Sequence, residues 1–173
     1  VSGRPCVPSV DTIDRDIDLA VVATPAQTVP DIFVQCGRAG IRNAIVLSAG
    51  FGEGGGTSTL AAETLAVAEG HGLRFLGPNC VGLVRPWRDF DATFLRDESP
   101  KGGLALVSQS GALCSAISDW AAPNGLGFSA LVSVGNALNI GFGDIVSFLA
   151  DDEATSAIML YVEGVRDGAA LRS

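Results

Sequence analysis

The chain has 173 residues, a formal net charge of −8 at pH 7 and 47% hydrophobic residues. This composition excludes a disordered chain, and the acidic charge argues against nucleic acid or an anionic membrane surface as a partner, since both need clustered Lys and Arg. A phosphorylated ligand would then be held by backbone N–H groups, for which the 22 glycines supply tight turns.

The cysteines are far apart and include no Cys-x-x-Cys pair. Such spacing favours reduced, buried thiols in a cytoplasmic protein over a disulfide framework or a zinc site, and we predict no metal site. The four positions are Cys6, Cys36, Cys80 and Cys114.

The first half of the chain alternates strands with helices. Continuous apolar runs predict strands buried on both faces at 19–24, 44–47 and 73–76. Thr28 is a candidate cap for a helix that Gly37 and Gly40 close, and a second helix is predicted from about residue 59 to residue 69. Alternation of this kind predicts a parallel sheet with helices on both faces and ligands at the carboxyl ends of its strands.

A glycine-rich loop follows the second predicted strand. Residues 50–55 match the dinucleotide fingerprint Gly-x-Gly-x-x-Gly. The acidic residue that should end the next strand is missing, because Leu76 leads into Gly77 and Pro78, so a plain loop is favoured over a nicotinamide site. His71, between two glycines at a helix end, is predicted to be a solvated terminus.

The alternation of strands and helices is interrupted at 84–103, which we interpret as a link between two units, and it resumes after residue 103. Strands are predicted at 104–107, 128–132 and 157–162, and helices at 112–121 and 144–150. The longest uncharged run, 120–143, could span a bilayer by length. Its Pro123, its asparagines and its glycines instead indicate a helix end, a buried strand and loops, so no membrane span is predicted.

The turn at 108–111 is the strongest candidate site. Ser108 and Ser110 can cap the helix that follows, whose first N–H groups would face the edge of the sheet and suit a phosphate. A capped turn without a ligand explains the same residues. A hydrolase elbow is excluded because Ser108 stands where glycine is needed, and a Walker loop because the only lysine, Lys101, precedes the strand. Glu163 directly follows the last strand and is either solvated or functional.

Eight of these loops together resemble one family. Motifs such as Gly-Pro-Asn-Cys and Ser-Gln-Ser-Gly occur in the same order in the NDP-forming acyl-CoA synthetases, which are relatives of the succinyl-CoA synthetase alpha subunit. The motifs occupy residues 18–25, 47–51, 76–82, 91–94, 108–113, 127–129, 133–136 and 160–164.

The resemblance implies an α/β fold of two doubly wound parallel-sheet units, a Rossmann-like CoA-binding domain at 1–98 and a flavodoxin-like ligase domain at 99–173. Members interconvert acyl-CoA, ADP and phosphate with a carboxylic acid, CoA and ATP through a phosphohistidine. By position, Ser108, Ser110 and Gly111 would hold the phosphoryl group, and Glu163 would orient the histidine. The residues implied for coenzyme A are Thr24, Pro25, Ser48, Ala49, Gly50, Phe51, Asn79 and Cys80.

The resemblance also implies what the chain lacks. The family's first glycine-rich turn would precede Val1 and its phosphohistidine would follow Ser173, so both domains are expected to be truncated and these residues alone should not catalyse the full reaction. ATP or ADP with Mg would bind to an ATP-grasp domain or subunit, in an oligomer acting on a small carboxylic acid, with acetate expected. The alternatives are a regulatory acyl-CoA sensor of a GCN5-type protein lysine acetyltransferase and a stand-alone CoA-binding module.

Overall fold

A computed structural model describes residue 3 and residues 6–53, 58–96 and 98–164. These described residues form two sheets, one of order β1-β2-β3 and one of order β5-β4-β7-β6-β8. The strands are β1 (Ala20–Val22), β2 (Asn43–Val46), β3 (Arg74–Leu76), β4 (Gly82–Arg85), β5 (Phe90–Thr93), β6 (Lys101–Ser108), β7 (Phe128–Ser133) and β8 (Ala157–Tyr161). The α-helices are α1 (Val29–Arg38), α2 (Thr59–Gly70), α3 (Gly111–Ala121) and α4 (Phe142–Ala150).

The first sheet confirms the predicted parallel arrangement. β2 pairs in parallel with both β1 and β3, and its last three residues are buried, as expected for a central strand covered on both faces. Phe33 of α1 meets Phe75 of β3 with ring centroids 5.1 Å apart, which fixes the helix on the sheet.

His71 is a packing residue. It is half-buried, and a Cβ atom added to Gly37 of α1 would collide with its ring. The predicted solvated terminus is therefore only partly exposed, because the end of α2 packs against α1.

The second sheet differs from the prediction at one edge. β6 pairs in parallel with β7 and β8, but β4 and β5 are antiparallel and lie within or next to the predicted link at 84–103. The sheet is therefore mixed. The sequence pattern does not predict this hairpin, because its strands are short and only Gly82 and Val84 are buried in β4. Both strands precede residue 99, and the domain boundary placed there stays a prediction.

The two sheets share part of one core. Ile45 and Leu76 of the first sheet pack in a buried cluster with Val107, Ala130 and Val132 of the second. Residues 77–81 run from β3 directly to β4, so they lie at the junction of the sheets. In the described part of the chain, no helix is long and apolar enough to cross a membrane.

Candidate functional site

The loops that follow β1 and β2 are joined by a hydrogen bond between two predicted cofactor residues. The Ser48 hydroxyl donates to the Thr24 carbonyl oxygen at 2.5 Å. Thr24 and Pro25 are exposed beside it. Thr28 does not cap α1 through its side chain, because its hydroxyl donates to the Thr24 hydroxyl and the Pro25 carbonyl, each at 2.8 Å. Thr24, Pro25 and Ser48 thus form one surface at this edge.

The backbone amides of the next loop already have an acceptor. Gly50 has φ +109°, a conformation that favours glycine, and its N–H donates to both carboxylate oxygens of Glu53, at 3.0 and 3.1 Å. The Phe51 N–H donates to Glu53 Oε1 at 3.0 Å. Ala49 and Gly50 are exposed, whereas the Phe51 side chain is buried in the core, so Phe51 can offer a ligand its backbone but not its ring.

Asn79 connects the first edge to the loop after β7. Its N–H donates to the Ser48 carbonyl oxygen at 2.9 Å, and its side-chain Nδ2 donates to Asn136 Oδ1 at 3.3 Å. The Asn136 Nδ2 in turn donates to Glu53 Oε1 at 3.2 Å. Asn79, Asn136 and Glu53 thus link the loops after β3, β7 and β2.

The two buried thiols near this junction are poor nucleophiles. The Cys80 thiol donates to the Val46 carbonyl oxygen at 3.3 Å, and burial raises its pKa to about 12. Burial also raises the pKa of Cys114, to about 11. A thiol must ionise to attack, so the Cys80 side chain is not suited to act as a nucleophile.

The predicted turn before α3 has the expected geometry. Ser110 caps the helix, its hydroxyl accepting from the Leu113 N–H at 3.3 Å. The buried Ser108 hydroxyl accepts from the Ser110 N–H and donates to the Ser110 carbonyl, both at 3.0 Å, so this side chain shapes the turn. The N–H groups of Gly111 and Ala112 have no acceptor among the described residues, which leaves two donors at the positive end of the helix.

Gln109 brings the loop of Glu163 to this turn, and the sequence did not single it out. Its Oε1 accepts from the Glu163 N–H at 2.6 Å and from the Gly164 N–H at 3.0 Å. The Gln109 N–H donates to the Tyr161 carbonyl at 3.1 Å. Glu163 itself is exposed, and Gln109 holds its backbone beside the turn that precedes α3.

The two edges meet at residues 77–81. The Val81 N–H donates to the Ser133 hydroxyl at 3.0 Å, and a Cβ atom at Gly111 would lie 2.7 Å from Val81 Cγ2. The Val134 N–H donates to the Ser108 carbonyl at 2.8 Å. The structure therefore joins the predicted cofactor loops and the predicted phosphoryl site through residues 77–81.

Sequence comparisons point to two consecutive domains. A family profile described as a CoA binding domain matches residues 1–86, and one described as a succinyl-CoA ligase like flavodoxin domain matches residues 101–173.

Similar proteins include two archaeal ligases and one solved synthetase. The chain is 42% identical to ADP-forming acetate–CoA ligase I of Archaeoglobus fulgidus, over 97% of this chain and 25% of that protein. It is 37% identical to the alpha subunit of ADP-forming acetate–CoA ligase II of Pyrococcus furiosus, over 97% of this chain and 37% of that protein. It superposes with a TM-score of 0.91 on the dinucleotide-forming acetyl-coenzyme A synthetase 1 of Ca. Korarchaeum cryptofilum in complex with phosphate and ADP. The sequence identity is 34%, and the match covers 97% of this chain and 36% of that one. The chain thus spans a quarter to a little over a third of their lengths.

Proposed function

The chain belongs to the NDP-forming acyl-CoA synthetase family, and on that premise we propose that it is the CoA-binding and phosphoryl-handling part of an ADP-forming acid–CoA ligase. The observation that carries the proposal is the convergence of the two strand edges on residues 77–81. Acyl transfer to CoA and transfer of a phosphoryl group can share an intermediate only if the two sites face one another.

In this proposal the first edge binds coenzyme A. Thr24, Pro25 and Ser48 give an exposed surface with hydroxyl and carbonyl groups, and Ala49 and Gly50 allow close approach of the ligand to the backbone. Asn79 adds an exposed amide at the junction, where Cys80 is buried below it.

The second edge would bind the phosphoryl group of a phosphohistidine. The N–H groups of Gly111 and Ala112, which have no acceptor in the part of the chain that the structure describes, are suited to an anion. The Glu163 carboxylate would accept from the imidazole and orient it. His71, the only histidine, packs against Gly37, so the phosphorylated histidine would come from outside residues 1–173. An ATP-grasp domain or subunit would supply the nucleotide with Mg.

Acetate is the acid we propose, because the two ligases reported above carry that name. These relatives do not favour the alternative of a regulatory region in a protein lysine acetyltransferase. The proposed division of the chain is a CoA-binding domain at 1–98 and a ligase domain at 99–173.

Isothermal titration of the purified chain tests the proposal directly. We expect saturable binding of CoA and no binding of NAD, because β3 ends at Leu76 and leads into Gly77 and Pro78, without the acidic residue that would bind a ribose. Absence of CoA binding, or preference for NAD, would contradict the proposed function.

Gly111→Val is expected to weaken binding of inorganic phosphate by about tenfold or more. The added side chain begins 2.7 Å from Val81 Cγ2, so either Val81 or the helix start must shift. A shift of the helix start misplaces the amides that receive the anion, and each charge-assisted hydrogen bond lost costs about 1.5–3 kcal/mol. Equilibrium titration with phosphate measures the change. Gly70→Val is the matched control, since a Cβ atom there meets nothing within 4 Å; similar affinities in both variants would argue against a phosphate site at Gly111.

A further inference from the structure

A carboxylate of the chain itself occupies the recess between the loops after β2 and β7. The Glu53 carboxylate accepts from the Gly50 and Phe51 N–H groups at 3.0–3.1 Å. A third donor, Asn136 Nδ2, lies 83 residues further along the chain and reaches Oε1 at 3.2 Å. Three neutral N–H donors from two sheets therefore converge on one oxyanion, which is how backbone nests hold anions.

The direction of the Asn136 side chain is fixed by its neighbours. Its Oδ1 accepts from Asn79 Nδ2 at 3.3 Å, which leaves its own Nδ2 to face Glu53. Its backbone N–H donates to the Pro78 carbonyl at 2.9 Å. The third donor is thus held by residues 78–79, independently of Glu53.

Within the part of the chain that the structure describes, no Lys or Arg side chain pairs with Glu53. The ion pairs in the described part of the chain join other residues, Arg74 with Asp144, Arg85 with Asp152 and Lys101 with Asp89. Burial acts to raise the pKa of Glu53, but the N–H groups of Phe51 and Gly50, its own amide and Asn136 outweigh it and keep the pKa below its usual range. The residue is exposed, so its side chain can leave the recess without opening the core.

We propose that this recess is an oxyanion subsite in which Glu53 is a displaceable internal ligand. An incoming phosphate or carboxylate group would exchange with Glu53 on the same three donors. The inference extends the proposed function, on which it rests for placing the subsite beside the CoA loops. The shared chemistry is an oxyanion, and its source is a phosphate of CoA, free phosphate or the carboxylate of the acid.

Titration of Glu53→Gln with four probes tests the exchange: CoA, pantetheine, inorganic phosphate and acetate. A neutral amide competes less well for the three donors, so the anion that uses the subsite should bind about tenfold more tightly than to the wild type. Pantetheine, which has no phosphate, should bind unchanged. A gain confined to CoA, to phosphate or to acetate identifies the source of the oxyanion.

Two further variants separate the lost contact from the lost charge. Glu53→Asp keeps the charge but is too short to reach both amides, and it should also tighten anion binding. Glu63→Gln removes one charge from an exposed position of α2 and should not change binding. Amide NMR spectra confirm that each variant is folded and should show the Gly50 and Phe51 resonances moving when the anion is added.

The subsite is disproved if all three anions bind Glu53→Gln no more tightly than the wild type, or if Glu63→Gln gives the same gain. Failure of the proposed function has a different result. In that case CoA binds to neither the wild type nor the variant, while a gain for phosphate or acetate in Glu53→Gln would still support the subsite.

Discussion

Replacing Gly135 with alanine should lower the free energy of unfolding by about 3 kcal/mol, the sum of overpacking and of backbone strain. Gly135 has φ +53°. A Cβ atom there would overlap the Pro78 carbonyl oxygen and lie 2.5 Å from that of Asn79. Both are backbone atoms, so no side-chain rotation relieves the clash. The loop at 77–81 must move away, which separates the two strand edges. The affinity for CoA should therefore fall together with the stability.

Gly125→Ala is the matched control for this substitution. Gly125 also has a positive φ, +70°, but a Cβ atom there meets nothing within 4 Å. The free energy of unfolding of Gly125→Ala should therefore fall only by the backbone contribution, about 1–2 kcal/mol. Its affinity for CoA should stay unchanged. Urea denaturation and CoA titration of both variants measure the difference. Equal losses in stability would show that contact between the two loops does not constrain residue 135.

Removing Arg85 should have an effect of similar size, about 3 kcal/mol, because it leaves a largely buried carboxylate without its partner. The guanidinium donates to Asp152 Oδ1 at 2.8 Å and to the Ser129 carbonyl at 3.1 Å. Both side chains of the pair are only 12% exposed. The guanidinium also lies 5.2 Å from the centre of the Phe148 ring, which adds a cation–π contact.

The exposed pair of Arg74 and Asp144 provides the comparison. Its N···O distance is 2.6 Å, but the side chains are 57% and 44% exposed. Solvent screening limits such pairs to about 0–1 kcal/mol, so Arg74→Ala should be nearly neutral in thermal or urea denaturation. If Arg74→Ala and Arg85→Ala were equally destabilising, burial would not be what distinguishes the two pairs.

The same buried pair predicts a pH dependence. The Thr155 hydroxyl and the Arg85 guanidinium hold the pKa of Asp152 below its usual range, against the effect of burial. Stabilisation by Asp152 is therefore complete above about pH 4, its unfolded pKa, and is lost as the pH falls through the lower folded pKa. Denaturation of the wild type between pH 6 and pH 2 should show this loss, and Arg85→Ala should show less of it.

The parts of the fold that were predicted are those with a repeating or capped pattern. Residues 44–46 of β2 are buried on both faces, so the strand forms a continuous apolar run. The start of α3 could be predicted from Ser110, the serine that caps it. β4 and β5 have neither signal. Each has four residues, β4 alternates buried with half-exposed positions, and β5 has no buried position at all.

The candidate site divides in the same way. The helix start at Gly111 could be predicted from local sequence alone. The contact of Glu53 with Asn136 could not, because Asn136 follows a strand of the other sheet. No periodicity connects positions so far apart. Gln109 was hidden for a related reason, since its contacts with the loop of Glu163 exist only once β6 and β8 are neighbours.

The hydrogen bonds that join Asn79, Asn136 and Glu53 have a consequence for communication between the two edges. Val134, two residues before Asn136, also binds the carbonyl of Ser108 at the turn before α3. A ligand that displaces Glu53 takes over its hydrogen bond from Asn136 Nδ2, and Asn136 belongs to the segment that Val134 attaches to the second sheet. If that exchange shifts residues 134–136, thermodynamic reciprocity requires an anion bound at α3 to change the affinity for the displacing ligand by the same factor.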